Sequence, residues 1–392
     1  MKLNPFSTDF LEDPYPIYKY LRDHDPVHFN DELNFYAISR YDHVVEVLCD
    51  TTTYSNAQGV TLDGSGVGSG MLLTKDNPEH FAHKNLAFSL FTRQRMLAVE
   101  NFARVKCVEL LEEAGKRDEC DAIEDFSVKL PLTVISELIG IPEDLREPIH
   151  KFADLMMARN ADLDMTSVHN AKRLADETCR ELIDSRRKTP RDDIITTLMT
   201  TPLVDAEGEV RYLTDAELTD RFIELAVAGH ETVAKAIPNT MALFNRFPDE
   251  LKTLLDNRSL LPGAIEEALR YEPPAQTQAR TTTREVKLGG VTIPEKTRVL
   301  LLTGSATRDD RRFENPDVFD VTRENEVNSV YFGYGIHRCL GIHLARLEIR
   351  VAMEELLRRF PNYMTFPDRG ARKAMANVRG YSHLPLRLGP HA

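Results

Sequence analysis

From Arg93 to Arg187 the apolar residues recur at intervals of three and four, with breaks at Gly115, at Gly140-Ile141-Pro142 and at Asn160-Ala161-Asp162. That spacing lines one face of a helix, so the stretch reads as helix after helix. Asp215 to Phe247 keeps a helical pattern for about thirty residues, longer than the usual globular helix. Shorter helices are expected over Tyr41–Leu48, from Asn77-Pro78-Glu79-His80 to Phe91, and between Pro248 and Pro262. Another runs to Arg22 behind Pro14, where proline suits a first turn. Strand patterns are few. Asn34–Ser39 is one, and Val286–Leu302 reads as a small sheet because Val286, Leu288, Val291 and Ile293 alternate with polar residues and turn glycines. Residues 59–70 carry five glycines and no period, which reads as a mobile loop. Neither repeats nor Pro/Gly/Ser-rich linkers interrupt the chain. The pattern predicts a mainly α fold with small β-sheets, with residues 1–392 as a single domain.

Composition narrows the function classes. The chain has 392 residues, of which 42% are hydrophobic, enough for a sizeable core. A net charge of −13 argues against a nucleic-acid partner, which would need a basic face. Cys49, Cys107, Cys120, Cys179 and Cys339 show no C-x-x-C spacing, which excludes the common zinc patterns and suits a reducing cytoplasm. The first four read as buried small apolar residues. Met1–Thr8 has no apolar stretch, and no run approaches eighteen apolar residues, so a soluble, cytoplasmic protein without a membrane anchor is expected.

The chemistry concentrates in Phe332-Gly333-Tyr334-Gly335-Ile336-His337-Arg338-Cys339-Leu340-Gly341. Six fixed positions of the form F-G-x-G-x-H-x-C-x-G make a chance match on the order of one in a hundred thousand for such a chain. The glycines allow a tight turn. Cys339 ends that turn just before a helix-forming run. Unpaired N–H groups and the dipole at a helix N-terminus stabilise a thiolate, which predicts a lowered thiol pKa and a metal-ligating role.

This loop resembles the haem-binding loop of the cytochrome P450 family, and the resemblance extends over nearly the whole chain. It implies the cytochrome P450 fold and haem b (iron protoporphyrin IX), with Cys339 as the axial iron ligand. Phe332 would pack by the proximal haem face, and Gly333 and Gly341 belong to the loop whose N–H groups bond the sulfur. Upstream, Ala228-Gly229-His230-Glu231-Thr232 falls inside the long helical run. A mid-helix glycine costs about 1 kcal/mol relative to alanine and asks for a reason. Either a flat cofactor lies close over Ala228 and Gly229, or Gly229 is a helix-packing position. The Thr232 hydroxyl can bond the Ala228 carbonyl one turn back and bend the helix. By resemblance, Glu231 and Thr232 are the acid–alcohol pair that directs protons, while His230 reads as a helix-face residue.

Glu267 and Arg270 lie at i and i+3, a spacing that is usually a solvated pair. Followed by Tyr271-Glu272-Pro273-Pro274, they resemble the family's buried structural pair. The family's third partner, an arginine in a P-x-R-F segment, is replaced here by Val318 in Pro316–Phe319, leaving Arg323 as the candidate. The haem propionates need cationic partners when partly buried. Those that match by position are Arg280, His337, and His80 with Lys84. The family usually has arginine where Lys84 stands, so the bidentate fork is lost. The plain alternative for His80 and Lys84 is a solvated helix face.

By resemblance, the substrate pocket draws on 60–73 including Leu72, on 155–162 from Leu155, on Leu225, Ala228 and Thr232, on Thr277 to Ala279, and on Val378 to Tyr381. Small and apolar side chains there suit a lipophilic substrate. The chain has no flavin, dinucleotide or iron–sulfur fingerprint, so electrons are expected from NAD(P)H through an external ferredoxin-type iron–sulfur protein and its reductase. Lys84, Arg93, Arg95, Arg338 and Arg346 are the expected docking cations. The implied activity is that of a haem-thiolate monooxygenase, by hydroxylation or epoxidation. One alternative is a peroxide-driven peroxygenase, in which the acid–alcohol pair is often lost. The other is a non-catalytic haem-binding sensor, although no signalling module is recognisable.

Overall fold

The structure, a computed structural model, describes residues 3–62, 64, 70–88, 90–91, 93–157, 164–324, 329–372 and 377–390. Helices α1 (Thr8–Glu12), α2 (Tyr15–His24) and α3 (Tyr41–Cys49) lead to α4 (Glu79–Phe88) and α5 (Arg93–Ala114). Then follow α6 (Lys129–Ile139), α7 (Arg146–Met157), α8 (Met165–Lys188) and α9 (Ile194–Thr200). The last are α10 (Asp215–Arg246), α11 (Pro248–Asp256), α12 (Leu261–Tyr271), α13 (Thr303–Ala306) and α14 (Ile342–Arg359).

Helix α10 is the axis of the molecule. It starts at a reciprocal cap: the Glu217 N–H donates to the Thr214 hydroxyl (3.3 Å) and the Thr214 N–H donates to the Glu217 carboxylate (2.9 Å). From Val233 to Phe244 every residue is buried, as expected of a helix surrounded by others. Helices α6, α7, α8, α12 and α14 all pack on it. The expected break at Gly140 is real. Gly140 ends α6 at φ 96°, and its N–H donates to the Ser136 and Glu137 carbonyls. The expected break at 160–162 lies outside the described residues, as do 63 and 65–69 of the glycine-rich loop.

The expected small sheet over Val286–Leu302 is corrected. Val286–Leu288 and Val291–Ile293 form a separate hairpin. Arg298–Leu302 instead joins a five-stranded sheet, ordered Val27–Asn30, Phe35–Ile38, Arg298–Leu302, Thr277–Thr282, Tyr54–Ser55. Period-two alternation splits its side chains between two cores. Ile38, Val299 and Leu301 enter one, while Phe35, Ala37, Leu300 and Leu302 enter the other. Thr277–Thr282 escapes the sequence pattern because Thr-Gln-Ala-Arg-Thr-Thr offers no apolar alternation. Of the four cysteines expected to be buried, Cys107, Cys120 and Cys179 are, but Cys49 is exposed at the end of α3.

Candidate active site

The cysteine loop is pinned by its own backbone. The Phe332 N–H donates to the Ser329 carbonyl (3.1 Å), the Gly333 N–H to Val330 (2.9 Å), and the Cys339 N–H back to Phe332 (2.8 Å). Gly333 and Gly335 both have left-handed φ, 76° and 65°. A Cβ on Gly335 would also sit 2.7 Å from the Leu48 carbonyl oxygen, so the loop lies hard against the end of α3. Gly341 caps α14, and its N–H bonds the Cys339 sulfur. The side chain of Cys339 is open to solvent yet set deep among protein groups, as on the wall of a cleft. The expected lowering of its pKa is corrected. Burial pushes the thiol up, and this outweighs the Gly341 N–H and the charges of Lys84, Arg338 and Arg346, which pull the other way.

Helix α12 uses two adjacent glutamates, Glu266 to brace the cysteine loop and Glu267 to hold the segments from 307 to 323 that precede it. Glu267 is wholly buried and takes both ends of the Arg270 guanidinium (2.7 and 2.8 Å). Arg270 also donates to the carbonyls of Thr307, Pro316 and Val318. Arg323 is the third partner, its Nε 3.2 Å from Glu267 Oε1, so the missing family arginine is replaced from another position. Glu266, unremarked in the sequence, accepts from the Tyr331 hydroxyl of the cysteine loop (2.7 Å) and from two nitrogens of Arg346 on α14 (2.7 Å each).

Opposite in character is the middle of α10. Ala228 is exposed and Thr232 half-buried on a helix otherwise closed from His230 to Phe244, which marks a cleft wall one turn long. Leu225, one turn earlier, is buried. A Cβ on Gly229 would fall 2.7 Å from Ile135 Cγ1 and 2.8 Å from its Cδ1. The crossing of α10 with α6 therefore accounts for this glycine, and the cofactor reason offered from the sequence is not needed for it. Among the described residues the expected bond from Thr232 to Ala228 is not formed, and the helix runs on unbroken. Glu231 is buried, with His230 Nε2 3.8 Å and Lys235 Nζ 3.9 Å from its two oxygens.

A cluster of basic side chains gathers around His337, two residues before the cysteine. His80 and His337 bring their rings to 4.2 Å, and both are held neutral by burial, His80 pushed down to about 4 and His337 to about 2. Arg280 is 2% exposed, donates to the Ala279 carbonyl and the Gln278 side chain, and is lowered to about 10 by the same desolvation. Lys84 donates to the carbonyls of Ile336 and Arg338 (2.8 Å for the latter), so it clamps the cysteine loop. His337 Nε2 is buried without a hydrogen-bond partner. Buried donors of this kind, with an orphaned ring nitrogen among them, fit the two carboxylates of a haem. Among the described residues no group of three or more His, Cys, Asp or Glu is placed to hold a metal ion.

Of the residues expected to face substrate, Leu72, Thr277 and Val378 are buried. Glu224 of α10 accepts the Leu72 and Leu73 N–H groups (3.0 and 2.9 Å), tying that segment to the helix. Leu155 is placed elsewhere. It lines an 810 Å³ groove with Phe102 and Leu132, and none of Leu72, Leu225, Ala228, Thr277 or Val378 lines that groove. Three of the expected docking cations have internal partners: Lys84 as above, Arg95 on Asp192 and Thr197, and Arg346 on Glu266. Among the described residues no helix is long and apolar enough to cross a membrane.

Comparison with known proteins agrees with this geometry. The family profile described as Cytochrome P450 matches residues 149–366. Putative cytochrome P450 123 of Mycobacterium tuberculosis is 37% identical over 396 residues, covering 98% of this chain and 96% of that protein. The crystal structure of CYP109E1 from Bacillus megaterium in complex with testosterone superposes with a TM-score of 0.86 at 30% identity, over 96% of this chain and 99% of that one. P450BioI in complex with hexadec-9Z-enoic acid ligated acyl carrier protein gives 0.88 at 29%, over 97% and 100%. The chain belongs to the cytochrome P450 family and is a haem-dependent monooxygenase of that family.

Proposed function

We propose that this protein binds haem b through the Cys339 sulfur and inserts one oxygen atom of O2 into a lipophilic small molecule, by hydroxylation or epoxidation. The observation that carries the reading is the solvent-open Cys339 thiol on a pinned loop, with the buried Arg280 guanidinium and the unpartnered His337 nitrogen in the cluster that adjoins it. When bound, haem supplies dioxygen activation and the oxidising power for attack on C–H or C=C bonds. The chain's own residues bind, orient and move protons. Arg280, His337 and His80 hold the propionates, and Lys84 steadies the loop. The Glu231 carboxylate takes up protons from the protein interior and hands them on, and the Thr232 hydroxyl, half open on the cleft wall, passes them to the cleft. Leu72, Leu225, Ala228 and Val378 form a mainly apolar wall for substrate, to which Thr277 adds one hydroxyl. The steroid and fatty-acyl ligands of CYP109E1 and P450BioI support a lipophilic class. Electrons come from NAD(P)H through a ferredoxin-type protein and its reductase, with Arg338 beside the cysteine as a docking cation. Residues 1–392 act as one domain in the cytoplasm.

The first test is the spectrum of the reduced, haem-loaded protein under carbon monoxide. The red-shifted band of thiolate ligation is expected in the wild type and lost in Cys339→Ser. A wild-type sample without it overturns the reading. Lipophilic compounds that shift the ferric spectrum from low to high spin then define the substrate class. Thr232→Ala should release more electrons as hydrogen peroxide, and unchanged coupling would remove the relay and favour peroxide-driven chemistry.

A further inference from the structure

Lys235 is a charged side chain in the part of α10 that is closed on every side, only 3% exposed and one turn beyond Glu231. A buried ammonium is costly unless it is paired and hydrogen-bonded. Lys235 has both kinds of partner. Its Nζ donates to the Tyr381 carbonyl (3.0 Å) and lies 3.9 Å from Glu231 Oε1. At that second separation the attraction is one of charge, without the short contact of a charge-assisted hydrogen bond.

The chain makes room for this lysine at a second place. A Cβ on Gly380 would fall 2.6 to 2.8 Å from the Cβ, Cγ and Cδ of Lys235. Gly380 has no left-handed φ, so the close approach and not the turn requires glycine there. The segment that carries Val378 of the substrate wall therefore closes directly over the lysine stem, and its next carbonyl, Tyr381, takes the ammonium.

We propose that Lys235 is a positioning residue for the acid of the proton relay. Its ammonium keeps the Glu231 carboxylate ionised and oriented inside the protein. Its tether to Tyr381 makes that setting depend on the strand that lines the substrate. A substrate that moves 378–381 thereby adjusts the acid, which links occupancy of the cleft to proton delivery. The inference rests on the reading of Glu231 as the relay acid.

The experiment compares Lys235→Met, Lys235→Gln and Lys235→Arg with Glu231→Gln, all haem-loaded and showing the thiolate band. Infrared spectra at neutral pH should show a new protonated-carboxyl band in Lys235→Met and Lys235→Gln. That band should be absent in the wild type, in Lys235→Arg and in the Lys235→Met/Glu231→Gln double variant. Product formed per NAD(P)H consumed should fall by about tenfold in the Met and Gln variants, as when a proton donor is displaced, and recover in Lys235→Arg. If neither the band nor the yield changes in the Met and Gln variants while Glu231→Gln loses coupling, the role of Lys235 is overturned and the relay stands. If Glu231→Gln itself stays coupled, the relay reading fails, whatever the lysine variants do. Should Lys235→Met not load haem, Lys235→Gln and Gly380→Ala carry the test, and unchanged product yield in both overturns the proposal.

Discussion

Two buried glutamates on neighbouring helices have opposite surroundings. Glu267 on α12 is saturated: Arg270 in a bidentate pair, Arg323 at 3.2 Å and the Asp320 N–H at 3.1 Å. Glu231 on α10 keeps its neighbouring cation and imidazole at 3.9 and 3.8 Å. Short, bidentate contacts fix a shape, and α12 uses them to brace the segments around the cysteine loop. Glu231 instead has a cation and an imidazole near its two oxygens, which suits the proton-delivering role proposed for it. A third carboxyl, Glu348 on α14, has neither arrangement. Both its oxygens are buried without partners, and burial alone holds its pKa well above the ordinary range.

The sharpest way to break the comparison is Glu267→Ala. It leaves the Arg270 guanidinium buried without its carboxylate, and about 3–5 kcal/mol of stability should be lost in urea unfolding. Glu231→Gln should cost far less stability and act on coupling instead. Equal losses in the two would erase the distinction.

Glu348→Gln separates an unpaired acid from both. Burial raises the Glu348 pKa in the folded protein, whereas in the unfolded chain it ionises at an ordinary pKa. Wild-type stability from this group therefore declines as pH rises above the ordinary carboxyl range, until the raised folded pKa is reached. The glutamine variant should gain on wild type by up to about 1.4 kcal/mol for each pH unit in that window. A pH-independent difference between the two unfolding curves would show that the acid has a partner.

Gly229→Ala tests whether packing explains the cleft-side glycine. The added methyl group meets Ile135, and overpacking of this kind costs about 1–3 kcal/mol. Shortening the neighbour with Ile135→Val should recover part of the loss, giving a non-additive double variant. Strict additivity with weakened haem retention would return the glycine to a cofactor role. The smallest effect belongs to Thr214→Ala at the exposed start of α10. Losing that cap should cost about 1 kcal/mol by thermal unfolding and leave the thiolate band unchanged.

Much of the site was legible in the chain. The cysteine loop is contiguous, and its glycines announce the positive φ at Gly333 and Gly335. Lys235 had a signal in the sequence, a lysine set between Ala234 and Ala236 in a mostly apolar run of α10. Glu266 had none, because a glutamate beside Glu267 looks like any solvated helix residue until Tyr331 and Arg346 are seen beside it.

By itself, then, the sequence determined what depends on neighbours along the chain: the period of α10, the αL stop at Gly140, the turn that ends in Cys339. Tertiary structure alone decided which distant groups meet. Arg323 completes the Glu267 pair from 56 residues away, and the Tyr381 carbonyl reaches Lys235 across 146. It also reversed the direction of the Cys339 pKa. A helix N-terminus and nearby cations act through a few local groups, whereas desolvation sums over everything that surrounds the sulfur, and no local pattern encodes that sum.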